Sequence, residues 1–272
     1  MTHQRNLKFW QVDAFSDQPF KGNPAAVFVL EEDISDSLKR QIANEMNLSE
    51  TAFVLLRQGE NPFIQWITPN GKEMDMCGHA TLASSHILFS EIFPDKEEII
   101  FSTKSAGDLP ITRTAHGYQM DFPTAKLEET TDNLDLMRQL IGVEPLYMAK
   151  TSMPNRFMVI IEDEQSVKDI NLNHPVLQEI PQDGLLVAAL SDNSNYDYGY
   201  RFFGHKIGIV EDPTNGSGHT LMAPYFTKIL GQESFKAKSL SAREGDVFVK
   251  LDGARTKISG TAHTVFKSVI EV

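Results

Sequence analysis

The sequence of 272 residues holds a single cysteine, Cys77. No intrachain disulfide can form, and the chain fits a reducing compartment. Basic residues are also scarce: 25 Lys and Arg stand against 37 Asp and Glu, for a formal net charge of −12. A nucleic-acid or anionic-membrane partner needs clustered cations, so neither is expected. No apolar run approaches the roughly 20 residues of a membrane span. The segment from Met1 to Lys8 lacks the apolar core of a secretory signal, and a cytoplasmic location is expected. There is no G-x-G-x-x-G, and the loop from Pro213 to Thr220 lacks the lysine of a phosphate loop. Cys77, His79, His86, His205 and His219 show no recognised metal-ligand spacing, so no metal is expected.

What the chain does have is a pattern that occurs twice. Met76-Cys77-Gly78-His79-Ala80-Thr81-Leu82 is answered by Thr214-Asn215-Gly216-Ser217-Gly218-His219-Thr220-Leu221. Each is a short polar loop with glycine running into a small-residue, apolar segment, which reads as a helix start with exposed backbone N–H groups. The likeness extends backwards. Asn23-Pro24 precedes the apolar run Ala25 to Leu30, and Asn155-Arg156 precedes Phe157 to Ile161. Glu50 opens the run Thr51 to Leu56, and Asp183 opens Gly184 to Leu190. The spacing grows slowly, 132 from Asn23 to Asn155, 133 from Glu50 to Asp183 and 138 from Gly78 to Gly216. Two diverged copies with small insertions give that drift, so two similar domains are expected. The join falls in the polar stretch from Pro123 to Asn133, dividing the chain into 1–123 and 124–272, with the last strand able to cross back to the first domain.

Strands are expected at Phe9 to Phe15, Ala25 to Leu30, Ala52 to Leu56, Phe63 to Thr68, Ile99 to Thr103, Leu109 to Thr114 and Tyr118 to Phe122. The second half offers Phe157 to Ile161, Leu185 to Leu190, Tyr198 to Phe203, Asp246 to Leu251, Thr256 to Ser259 and Thr264 to Ile270. β-branched and aromatic residues between turn-forming residues carry these assignments. Helices are expected at Ser35 to Met46, capped by Ser35, and at Leu134 to Ile141, stopped by Gly142. The stretches Ala80 to Phe89 and Thr220 to Leu230 are apolar nearly all round, which marks buried helices. Each half therefore reads as a strongly curved sheet around a central helix.

If both central helices begin at the domain interface, Gly78, His79 and Ala80 face Gly216, Ser217 and Gly218 across one cleft. Each helix end favours an anion by about 0.3–1 kcal/mol when exposed and up to about 2 when partly buried. Such a clamp holds a carboxylate and stabilises charge that develops when a neighbouring carbon loses a proton. Glu50 sits between a helix end and an apolar strand; burial there raises a carboxyl pKa and suits it to both accept and donate a proton. Asp212, before Pro213, is either a turn or cap residue or a site acid. His79 reads as a donor, a relay or a helix-start residue. Cys77 is either a base or a small buried hydrophobe.

These segments together resemble one family. Val12-Asp13-Ala14-Phe15, Phe20 to Val27, Leu48-Ser49-Glu50-Thr51-Ala52-Phe53, Cys77 to Ala83 and Glu211-Asp212-Pro213 with Gly216-Ser217 are similar to the signature of the PhzF family, the phenazine-biosynthesis isomerase-like proteins. The resemblance implies an α+β, diaminopimelate-epimerase-like fold of two pseudo-repeated domains, each a curved β-sheet or barrel around a central helix. It implies a homodimer and a mechanism without a cofactor, in which a glutamate moves a proton between carbons of a dihydro-hydroxyanthranilate. Glu50 stands at that position, with His79, Asp212 and Ser217 at supporting ones. Asn23, Ser49, Cys77, Gly78, Asn215, Gly216 and Gly218 are the expected contacts to a small carboxylate metabolite. The chain departs from the family at Asn215, where threonine is usual, and at Ala242, where glycine often precedes the arginine. Related cofactor-free epimerases place a cysteine at both loops. Asn215 at the second loop excludes a two-thiol racemase here. A one-cysteine epimerase using Cys77 and a metabolite-binding protein without chemistry are the alternatives.

Overall fold

The computed structural model describes residues 5–152, 154–207 and 209–272. Residues 1–4, part of the segment read above for a secretory signal, lie outside the described residues. The first half runs β1 (Asn6–Ala14), β2 (Asn23–Leu30), α1 (Asp36–Met46), β3 (Glu50–Leu55), β4 (Phe63–Ile67), β5 (Glu73–Met74) and α2 (Gly78–Ile87). A π-helical turn at Leu88–Ile92 leads to β6 (Glu98–Phe101), β7 (Leu109–Thr114) and β8 (Gly117–Pro123). The second half runs β9 (Glu128–Glu129), α3 (Leu134–Ile141), β10 (Tyr147–Ser152), β11 (Asn155–Ile160), α4 (Glu164–Lys168), α5 (Val176–Glu179), β12 (Gly184–Leu190) and β13 (Tyr198–Gly204). A 3₁₀ turn at His205–Ile207 precedes β14 (Ile209–Asp212), α6 (His219–Leu230), β15 (Ser234–Ser239), β16 (Asp246–Asp252), β17 (Arg255–Gly260) and β18 (Ala262–Glu271). The chain divides into two compact units, Met1–Asp121 with Ser259–Val272, and Phe122–Ile258.

In the first unit β18, β1, β2, β3, β4 and β5 lie side by side. β1 and β2 are antiparallel, β2 and β3 parallel with Ala25 opposite Glu50, and β3–β4 and β4–β5 antiparallel. A parallel pair needs a crossover, and α1 supplies it. Ser35 Oγ accepts from the Leu38 N–H at 3.3 Å to start that helix, and Asn47, with φ 50°, ends it. Its Ile42 and Ala43 pack with Phe28, Phe53 and Ile67.

The second unit repeats the pattern. β10 and β11 are antiparallel, β11 and β12 parallel with Arg156 opposite Gly184, and β12–β13 and β13–β14 antiparallel. The likeness continues past the fifth strand. β13 runs parallel to β15, and in the first unit Phe63 of β4 makes a parallel bridge to Ser102, just beyond β6.

Both central helices are buried. α2 lies against β1, β2, β3 and β18, and the hydroxyls of Thr81, Ser84 and Ser85 turn back onto the carbonyls of Cys77, Ala80 and Thr81. Back-bonding of this kind lets polar side chains sit in a dry helix. α6 carries Pro224, which has no N–H for the Thr220 carbonyl. The Ala125 N–H takes that carbonyl instead, at 3.2 Å.

Sequence and structure differ in a few places. α2 begins at Gly78, two residues before the apolar run that announced it. β5, β9, β10, β14 and β15 were not anticipated. β5 and β9 have two residues each, β14 runs into an Asp-Pro turn, and β10 and β15 mix lysine, alanine and serine into strands held by their neighbours.

Candidate active site

In the first unit the parallel pairing of β2 with β3, and the packing of α2 against both, bring three separate segments together. Asn23 opens β2, Ser49 and Glu50 open β3, and Cys77, Gly78 and His79 form the start of α2. His79 Nε2 lies 3.3 Å from Glu50 Oε2 and 3.3 Å from Ser49 Oγ. On the other side of the ring, Nδ1 is 3.6 Å from Cys77 Sγ. Glu50 is 5% exposed, His79 and Cys77 7% each. Asn23 is fully buried, and its Oδ1 accepts from Ser49 Oγ at 3.4 Å. Its place is thus behind Ser49 and away from solvent. Cys77 makes no side-chain cap bond to the helix it precedes. The first-turn N–H groups of Gly78, His79 and Ala80 meet no acceptor among the described residues, as expected of a helix start.

Glu50, Cys77 and His79 each offer one ligand atom, all within 4.8 Å of one another. A carboxylate, a thiolate and an imidazole suit a thiophilic cation such as Zn²⁺. Two features weigh against that use. The imidazole presents different nitrogens to Glu50 and to Cys77, bridging them without directing one lone pair at a common centre. The positive end of the α2 dipole also disfavours a cation.

The second unit builds its loop differently. Asn215 Oδ1 accepts three donors: the Gly218 N–H at 2.8 Å, Arg156 Nη1 at 3.0 Å and Ser217 Oγ at 3.3 Å. Its Nδ2 donates to Asp212 Oδ2 at 2.6 Å. The amide orientation is therefore fixed by its neighbours. Asp212 is 8% exposed and Asn215 8%. The N–H groups of His219 and Thr220 are taken by the carbonyls of Gly216 and Ser217. This corrects the expectation of two equivalent open helix ends. Gly218, read as a substrate contact, spends its N–H inside the loop, whereas the N–H groups of Gly216 and Ser217 meet no acceptor among the described residues. Gly218 has its own packing reason to lack a side chain, because a Cβ there would stand 2.7 Å from Leu186 Cδ2.

A family model described as Phenazine biosynthesis-like protein, PhzC-PhzF, matches residues 12–268. This chain belongs to the PhzF family. An uncharacterized isomerase of Halalkalibacterium halodurans is 38% identical, over 94% of this chain and 96% of its own. The crystal structure of a PhzF-family phenazine biosynthesis protein from Enterococcus faecalis has a TM-score of 0.91 at 33% identity, covering 98% of this chain and 100% of its own. A hydroxyproline epimerase from Agrobacterium vitis, solved with bound trans-4-hydroxy-L-proline, is similar in fold alone: TM-score 0.61 at 10% identity, covering 100% of this chain and 94% of its own. The diaminopimelate-epimerase-like α+β fold expected from the sequence is the fold of this PhzF-family member.

A residue of β11 also ties down the second loop. Arg156 stacks on Phe202 with its guanidinium carbon 4.5 Å from the ring centroid, and desolvation pulls its pKa below the usual arginine value, against the pull of Asp212 and Asp183. The signal was present in the repeat itself, where the first copy reads Asn23-Pro24 and the second Asn155-Arg156.

Proposed function

We propose that this PhzF-family protein is an isomerase that moves a proton between carbons of a small carboxylate-bearing metabolite, with the Glu50 carboxylate as acid and base. The observation that carries this reading is the buried contact of Glu50 with His79 beside the unoccupied donors of Gly78, His79 and Ala80. A carboxylate oxygen takes a proton from a carbon activated by the substrate's own acid group. The C–H bond breaks, an O–H bond forms on Glu50, and the negative charge spreads into the substrate. N–H donors at a helix start stabilise charge that develops in the transition state. Return of the proton to a second carbon completes the shift, with no net oxidation or reduction and no need of a cofactor. His79, itself in contact with Ser49, orients the carboxylate. Acid–base help of this kind is worth roughly 10²–10⁴ in rate. For the second unit we propose that Asp212, Ser217 and the N–H groups of Gly216 and Ser217 offer polar contacts to an anion. A homodimer in the cytoplasm belongs to the same proposal.

The test is solvent exchange. Incubated in D₂O with a panel of small unsaturated carboxylic acids that includes a dihydro-hydroxyanthranilate, the protein should place deuterium on carbon, read by NMR. Glu50→Gln should stop that exchange while the protein stays folded. Full exchange by the variant would sink the reading.

A further inference from the structure

The geometry points to Arg156 as the residue of the second unit that receives the carboxylate of a small acid; this rests on the reading above that the protein handles carboxylate-bearing metabolites. A guanidinium has five N–H donors in a planar fork. One of them, on Nη1, reaches Asn215 Oδ1 at 3.0 Å. Among the described residues no other donor of Arg156 meets an acceptor. The group lies over Phe202, itself 1% exposed, and is tied through Nη1 to Asn215, so two contacts hold it in place. What is left is a half-buried edge of donors held in a fixed orientation.

The neighbours do not fill that edge. Asn215 Oδ1 already takes three donors and has no room for a fourth. Asp212 and the exposed Asp183 are near enough to act on the Arg156 charge, yet neither is hydrogen-bonded to it, and Asp212 Oδ2 is engaged by Asn215 Nδ2. Leaving polar groups without partners in a partly desolvated place is costly, and a two-oxygen anion matches the fork. The two aspartates also narrow the ligand. With their charges close by, the local field is not positive, so recognition rests on directed donors. A dianionic phosphate gains the same bonds against more repulsion than a singly charged carboxylate. The site therefore selects a carboxylate monoanion.

The experiment compares 2-aminobenzoate with its neutral isostere 2-aminobenzamide by calorimetric titration of the intact protein and of Arg156→Met and Arg156→Lys. Charge-assisted bonds of this kind correspond to roughly 10- to 100-fold in affinity. The wild type should favour the carboxylate by at least about 10-fold, Arg156→Lys should keep part of that preference, and Arg156→Met should bring the ratio to about 1. In the wild type, the Arg156 Nε–H resonance should move on adding the carboxylate and stay in place on adding the amide, a readout that survives if the variants fold poorly. An undiminished preference in Arg156→Met, an unmoved resonance, or no binding of the carboxylate at millimolar concentration would each overturn the assignment. No turnover is read, so a failure of Glu50 as acid and base leaves these outcomes unchanged and the two ideas are separable.

Discussion

Lowering the pH should destabilise the second unit through one histidine. His219, the first residue of α6, is fully buried. Its Nδ1 is 2.8 Å from the Tyr198 hydroxyl, and its ring stands edge-on to Tyr200 with centroids 4.7 Å apart. Burial alone pushes its pKa down from 6.5 to about 3. The folded protein therefore holds His219 neutral, while the unfolded chain takes up a proton below about pH 6.5. Its contribution is complete above that pH and is lost as the pH falls toward about 3. At about 1.36 kcal/mol per pH unit, the fall from pH 6.5 to pH 4.5 costs about 2.7 kcal/mol. Other carboxyl and histidine groups titrate in the same range, so the effect is isolated by comparison with His219→Asn. That variant keeps an acceptor near Nδ1 but has no proton to gain. It should be less stable than wild type at pH 7, because the ring packing is lost. Between pH 7 and pH 4.5 the gap should shrink or reverse by about 2.7 kcal/mol. Urea denaturation followed by circular dichroism reads this as a relative midpoint shift of roughly 1 M, at an m-value of ~3 kcal/mol/M. A difference between the two proteins that stays constant with pH would refute the assignment of a neutral buried histidine.

Other consequences concern charge and sulfur. Arg201 is 5% exposed, pairs its Nε with Glu211 Oε1 at 2.5 Å, and donates through Nη1 to the carbonyls of Val167, Lys168 and Ile170 at the end of α4. Arg201→Met should therefore cost roughly 3–5 kcal/mol by stranding the glutamate and three carbonyls, a loss seen in thermal or urea unfolding, whereas a change within 1 kcal/mol would mean that water replaces the bonds freely. Cys77→Ala separates the two catalytic readings: if Glu50 is the acid and base, exchange of deuterium should persist within about 10-fold, and its complete loss would favour the thiol as base.

The repeated loops and strands were legible because each copy carries its own glycine, its own apolar run and its own turn chemistry. Two buried helices could be read from segments without a charged face, and α2 and α6 occupy them. Glu50 could be named from its place at the head of an apolar strand. Its meeting with His79 depends on α2 packing against β2 and β3, which no local pattern encodes. The sequence also suggested more symmetry than exists. Cys77 leaves the first turn of α2 open, whereas Asn215 and a tightened turn use up most of the donors at the start of α6. That difference arises from a side chain folding back on its own loop, and residue types alone do not reveal it. Asp183, the sequence counterpart of Glu50, is exposed, so of this pair only Glu50 has a buried setting. The setting of Arg156 is not legible locally for a related reason: it is made by Phe202 and Asn215, 46 and 59 residues further along the chain.

The most direct test of the central claim is solvent deuterium incorporation by wild type and Glu50→Gln, measured side by side on the same acid with the folding of both confirmed. The account predicts carbon-bound deuterium with the wild type and a loss of roughly 10² or more with the variant. Equal incorporation by the two proteins would contradict it.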